Sequence, residues 1–260
     1  MKKDILLRLN TTVFAITICA FAPSVAGAAT LAGQLGVLDL AANSGINPAT
    51  GSAWQVGDTY RLVFASSARR NATSTDINVY NGFVQGLADS STLFTGTASW
   101  KAIASTQSVN ARINTGTTGS AGEAIFLTDG STIIGTNYGD FWNGHAVGAQ
   151  DIDLDENGNG FGSNQNVFTG ISSNGSTITD RYLGTTTISN NSLRVTTGQT
   201  NPNSTGRWAQ QFNANPTSQQ RLYGLSDALT IVELPDAIPE PSSIALLGLG
   251  GFTLLLRRKK

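Results

Sequence analysis

One cysteine, one histidine and one methionine are all that 260 residues contain of those types. The cysteine, Cys19, lies in an apolar stretch near the N-terminus, so the rest of the chain has neither thiol chemistry nor a disulfide framework. The histidine, His145, has no Gly-x-Ser-x-Gly elbow to supply a nucleophile for it. One histidine without cysteines does not make a zinc site, so His145 reads as a loop or core residue. Lysine is nearly missing: Lys101 is the only one between Lys3 and Lys259. With no basic patch, nucleic acid drops out as a partner. Neither apolar stretch, Val13–Ala22 or Ile244–Leu256, reaches the ~20 residues that a bilayer-spanning helix asks for.

What is present falls into three parts. Residues 1–28 carry Lys2, Lys3 and Arg8, then the apolar core Val13–Ala22, then Ala26-Gly27-Ala28. That order predicts a secretory signal read by an export translocon and cleaved after Ala28. Residues 29–235 hold nine basic groups against 14 acids, a net charge of −5 where the whole chain has −1. Gly, Ser, Thr and Asn dominate this region, a composition closer to an extracellular, loop-rich surface protein than to a cytosolic enzyme. Residues 236–260 form the tail.

Within the central part, Leu31–Leu40 alternates loosely and predicts a first strand, followed by a loop over Asn43–Gly57. Thr59–Ala65 predicts a strand with Tyr60, Leu62 and Phe64 on one face. Ile77, Tyr80, Phe83, Val84 and Leu87 recur at helical spacing behind a cap at Thr75 or Asp76. Trp100–Ala104, Glu123–Leu127, Thr132–Ile134, Val167–Gly170, Leu222–Leu225 and Ala228–Val232 read as short strands, with a short helix over Asn137–Trp142. Thr185–Gln220 is polar, with Trp208 its main apolar anchor. The expected fold is α+β: one domain of short mixed strands with one clear amphipathic helix, the alternative being an all-β sandwich. The order of an edge strand, the helix Asn78–Leu87, Trp100-Lys-Ala-Ile-Ala-Ser105, Ala124–Leu127, Asp140–Gly144 and Val167–Gly170 resembles endostatin-type modules of the C-type-lectin-like fold, over roughly residues 60–233. That resemblance implies a fold only. The disulfides of that fold have no counterpart here, and its Glu-Pro-Asn and Trp-Asn-Asp sugar motifs are missing.

Two candidates for chemistry stand out. Asp153, Asp155 and Asn157, ahead of Gly158, match the opening of a calcium loop, but Asn164 occupies the place of the closing Glu. The alternative is a β-hairpin with Ile152 and Leu154 facing the core and Asn157-Gly158 at the turn. Trp54 and Trp208 lie in polar loops and are the indoles positioned to stack on sugar rings, whereas Trp100 and Trp142 sit in apolar contexts that suit a core. Glycoside cleavage needs two carboxylates across a cleft, and none of the 14 acids stands out as a pair. No catalytic residue is assigned.

The tail, Ile238–Lys260, is the most specific stretch. Pro239-Glu240-Pro241 precedes 13 apolar-rich residues, Ile244–Leu256, and Arg257-Arg258-Lys259-Lys260 follows. As a helix the apolar run spans roughly 20 Å at about 1.5 Å per residue, against a hydrocarbon core of about 30 Å. Gly248, Gly250 and Gly251 weaken it further, and the four cations suit a cytoplasmic headgroup layer. A buried terminal helix is the alternative, but the run is apolar on every face. In composition and order the tail resembles the PEP-CTERM sorting signal of bacterial surface proteins. The resemblance implies recognition by a membrane-embedded exosortase, removal near the tripeptide, transient anchoring by a short C-terminal helix, and delivery to the cell surface or extracellular matrix. The expectation is a non-enzymatic, structural or adhesive surface component. A carbohydrate-binding module and a polysaccharide-modifying enzyme are the alternatives.

Overall fold

The computed structural model describes residues 30–143, 151–189, 192–200 and 207–235. The early part of the chain supplies β1 (Leu31–Gly33), the small β2–β3 hairpin (Ile46–Asn47, Ser52–Ala53), β4 (Thr59–Ala65), α1 (Ile77–Ser90) and β5 (Trp100–Ala102). Next come α2 (Ala111–Asn114), β6 (Ala124–Leu127), β7 (Ile133–Gly135), α3 (Tyr138–Trp142) and β8 (Asn166–Phe168). The last third adds β9 (Ile188–Ser189), β10 (Ser192–Leu193), β11 (Val195–Gln199), β12 (Phe212–Ala214), β13 (Tyr223–Ser226) and β14 (Leu229–Glu233). The protein is mostly sheet with few helices. The expected α+β pattern therefore holds in its coarse form, with the strand content closer to the sandwich alternative.

β4 is the spine. Its sequence alternates, and both faces are buried: Tyr60, Leu62 and Phe64 join one core, Val63 and Ala65 the other. On one side it pairs in parallel with β6, Tyr60 opposite Ala124, and β7 returns antiparallel on β6. On its other side β13 and β14 lie end to end, β13 along Val63–Ala65 and β14 along Thr59–Tyr60. β5 and β1 then pair with β13 and β14 respectively. Where β13 gives way to β14, side chains close the gap in the ladder: Ser226 Oγ accepts from Leu62 N at 2.9 Å, and Arg61 Nη1 donates to Ser226 O at 3.0 Å.

α1 covers the first core with Ile77, Tyr80, Val84 and Ala88, and Asp76 caps it by accepting from Asn78 N at 2.9 Å. The helix also guards a sheet edge. Asn81 Oδ1 accepts from Ala102 N at 2.9 Å and Gln85 Oε1 from Trp100 N at 2.7 Å, so the outer amides of β5 are satisfied by helix side chains. α3, capped by Asn137, buries both Phe141 and Trp142 in the second core. The three-stranded sheet β12–β11–β8 lies at that core through Val167.

One expectation needs correction. The first strand stops at Gly33, because Gly36 at φ 72° turns the chain back, with its N–H donating to Gly33 O at 2.8 Å. The polar stretch 185–220 holds four strands, and Thr196 and Thr197 are buried in it. The expected C-terminal membrane helix lies outside the described residues. Among those described, no helix is long and apolar enough to cross a membrane.

Candidate functional site

The acidic stretch after Asp151 is a tight hairpin. Gly158 N donates to Asp155 O at 3.0 Å and Asp155 N to Asn159 O at 2.9 Å, with Gly158 at φ 76°. A three-residue loop with a glycine in the left-handed region is a favoured hairpin closure. Ile152 is fully buried and Leu154 packs against the second core, as the hairpin alternative requires. Several side-chain oxygens of this stretch accept hydrogen bonds within the fold. Asp155 Oδ1 accepts from Asn157 N at 2.8 Å and Asn159 N at 2.9 Å. Glu156, 2 % exposed, accepts from the hydroxyl and the amide of Ser67, pinning the hairpin to the chain after β4. Asn157 Oδ1 accepts from Thr92 N at 3.3 Å. No group of three or more acidic, histidine or cysteine side chains suited to a metal occurs among the described residues. Asp155 and Asn157 thus take part in building the turn and tying it down, while Asp153 contributes its backbone carbonyl, accepting from Phe161 N at 3.3 Å.

Upstream of the turn, the carboxylates crowd one another. Burial, reinforced by the charge of Asp153, pushes the Asp151 carboxyl up to about 6. Burial also raises Asp153, and Asp129 adds to that. Tyr223, fully buried beneath them, is driven up by burial and by both carboxylates. His145 lies outside the described residues.

Neither indole expected to face sugars does so. Trp54 is 6 % exposed and stands edge-on to Tyr60 with centroids 6.4 Å apart. Trp208 is 1 % exposed and packs on Phe141, Trp142 and Tyr223 at 5.1, 5.8 and 5.9 Å. Their polar chain neighbours suggested surface loops, but each side chain turns inward as a core anchor. Trp100 and Trp142 are buried as expected.

A cleft that the sequence did not reveal opens at the start of β4. It has a volume of about 350 Å³ and is walled by Asn47, Thr50, Asp58, Thr59 and Glu123 among others. It brings two carboxylates to one place, 65 residues apart in the chain. Asp58 Oδ2 accepts from Gln55 N at 3.0 Å and so helps build the turn ahead of β4. Glu123 is bridged to Arg61 Nε at 3.0 Å and accepts from the Tyr138 hydroxyl. Burial alone would raise the Glu123 carboxyl, yet the Tyr138 and Arg61 hydrogen bonds overcome it and hold the group below its usual value. Tyr138 is pushed up to about 12 by burial and by its bond to Glu123. Glu123 is therefore held toward its carboxylate form by its two partners, Arg61 and Tyr138. The only hint in the sequence was Asp58 directly before the strand; the partner across the cleft depends on the parallel β4–β6 pairing.

Comparison with known families settles the tail. Residues 237–259 match the PEP-CTERM protein-sorting motif. This chain carries a PEP-CTERM sorting signal. The match takes in Pro239, Glu240 and Pro241, the whole apolar run, and Arg257, Arg258 and Lys259, with Lys260 directly after it. A PEP-CTERM tail marks its protein for export and for processing by an exosortase. No curated protein matches the chain. The PEP-CTERM residues, like Ala26 and Ala28 of the expected signal cleavage, lie outside the described residues.

Proposed function

We propose that this protein is a non-enzymatic surface component, exported through the translocon by its residue 1–28 signal and held transiently in the membrane by its PEP-CTERM tail. An exosortase then removes the tail, and residues 29–235 remain at the cell surface or in the extracellular polymer layer as a structural or adhesive element. The observation that carries this reading is the sorting motif at residues 237–259, placed directly behind a domain without a single cysteine. Support also comes from the buried packing of Trp54, Trp208 and the acidic hairpin, which spends the chain's most suggestive side chains on the fold itself. Deleting Ile238–Lys260 and fractionating the host tests it. The reading predicts loss of the surface-bound fraction, and an unchanged distribution would refute it. For the fold we retain the endostatin-like likeness as a proposal, supported by the order β4, α1, β5, β6, α3, β8.

A further inference from the structure

The sheet holds the chain almost up to the sorting motif. Beyond the pairing of Leu31 with Glu233, Leu234 N still donates to Thr30 O at 2.8 Å. Four residues, Pro235 to Ile238, then separate Leu234 from Pro239. A chain covers at most about 3.6 Å per residue, so Pro239 lies within roughly 18 Å of Leu234 whatever path it takes. An enzyme that closes on residues 239–241 is therefore brought against one particular end of the domain. The expected signal cleavage after Ala28 lies at the same end, one residue before Thr30.

That end has a distinct chemistry. The turn ahead of β4 belongs to it, because Gly57 N donates to Ile231 O at 2.9 Å and Ile231 N to Asp58 O at 2.8 Å. Val56 is 57 % exposed, Val232 39 % and Leu234 43 %, three of the seven large apolar side chains exposed among the described residues. Beside them stand the acids Asp58 and Glu233, while the nearby cation, Arg61, is buried and committed to Glu123. The surface is apolar and acidic, a poor match for anionic lipid headgroups. It would suit a protein face that is apolar and cationic.

We propose that the β1–β14 end of the domain, centred on Val56, Asp58, Glu233 and Leu234, is a docking surface for the exosortase-type enzyme that processes the tail. The proposal rests on reading the tail as a processed sorting signal. The enzyme recognises the tripeptide and also the folded end beside it, so the short tether sets the register between the two. The opposite end of β4, at Ala65, lies about 20 Å from Thr59 along the strand and takes no part.

The test follows tail removal from the full chain in the producing host by pulse-chase. Val56→Arg with Glu233→Arg alters two exposed positions, so the domain should keep its melting temperature, yet processing should slow about tenfold. A 15-residue Gly/Ser spacer inserted between Asp236 and Ala237 lets the enzyme reach the motif without touching the domain. In that background the double variant should be processed as fast as the spacer-only chain. Wild-type processing of the double variant on the native tether would overturn the proposal. So would slow processing that the spacer does not relieve, which would place the defect in export or folding. Unchanged processing with stronger membrane retention would show only the added cations acting on the lipid surface and would also overturn it. Glu240→Ala reports on the underlying reading separately: normal processing of that variant would mean that the tripeptide is not what the enzyme reads, and a docking surface registered against it would fall as well.

Discussion

Replacing Asp155 separates a turn-building carboxylate from a cation ligand. In the folded chain its Oδ1 accepts from Asn157 N at 2.8 Å and Asn159 N at 2.9 Å, and the residue is 7 % exposed. Asp155→Ala strands two amides in a largely enclosed turn. With hydrogen bonds to charged groups worth roughly 1.5–3 kcal/mol and some relief from water at the exposed Asn157 and Asn159, the loss should be about 2–4 kcal/mol. For a domain of this size that lowers the melting temperature by roughly 5–15 °C. Asp155→Asn keeps the carbonyl oxygen in place and removes only the charge, so it should cost under about 1 kcal/mol. Thermal melts of the three proteins, each with calcium and with EDTA, decide the matter. The hairpin account predicts a large drop for Ala, a small one for Asn, and no response to calcium in any of them. Equal damage from Ala and Asn, or a melting temperature that rises with calcium in the wild type alone, would refute it.

Three further outcomes follow from the same contacts. Asp151 binds its proton more tightly folded, at about 6, than at its ordinary 3.8, so its contribution favours the folded state at low pH and is lost as pH rises through 6. The full shift corresponds to about 3 kcal/mol, which solvent at this half-open group cuts to roughly 1; Asp151→Asn should flatten the pH dependence of the melt between pH 4.5 and 7. Glu123, whose carboxyl is held low, works in the opposite sense, its stabilisation disappearing only as pH falls below that window. Asn81→Ala removes the acceptor for Ala102 N and the partner of Asn114, and should cost about 2–4 kcal/mol in chemical denaturation with earlier hydrogen exchange along β5. Trp208→Ala empties a site shared with three aromatic rings and should destabilise by about 3–5 kcal/mol, without changing polysaccharide retention in a pull-down.

Local periodicity revealed the parts of the fold that local physics controls. Tyr60, Leu62 and Phe64 of β4 share one face as expected, and Asn157-Gly158 marks its own turn. The helix α1 was legible from Ile77, Tyr80 and Val84 behind the Asp76 cap, although Phe83 and Leu87, expected with them, are only half-buried and Ala88 completes the buried face instead. What stayed hidden are β11 and β12, the partners of β8 in the small sheet, because much of the interior there is made of residues that look like surface. Thr169 is fully buried with its hydroxyl donating to Ala209 O at 2.5 Å, and Thr196 and Thr197 are buried beside it. Gly198 is needed there because the backbone of Trp208 passes so close that a Cβ would lie 1.5 Å from its carbonyl oxygen. Polar composition around Trp54 and Trp208 suggested exposure for the same reason: the neighbours point outward while the indoles point in. The cleft between Asp58 and Glu123 depends on β4 pairing in parallel with β6 across the helix α1, a long-range contact that no periodicity encodes. The PEP-CTERM motif was legible in the sequence, because a sorting signal is read as a linear string.

The most direct test of the account is the C-terminal residue of the protein recovered from the cell surface, determined by intact mass and terminal peptide sequencing. Processing of the PEP-CTERM tail predicts a chain that ends within a few residues of Pro239-Glu240-Pro241 and lacks Ile244–Leu256. Surface protein that still carries Arg257-Arg258-Lys259-Lys260 would contradict it.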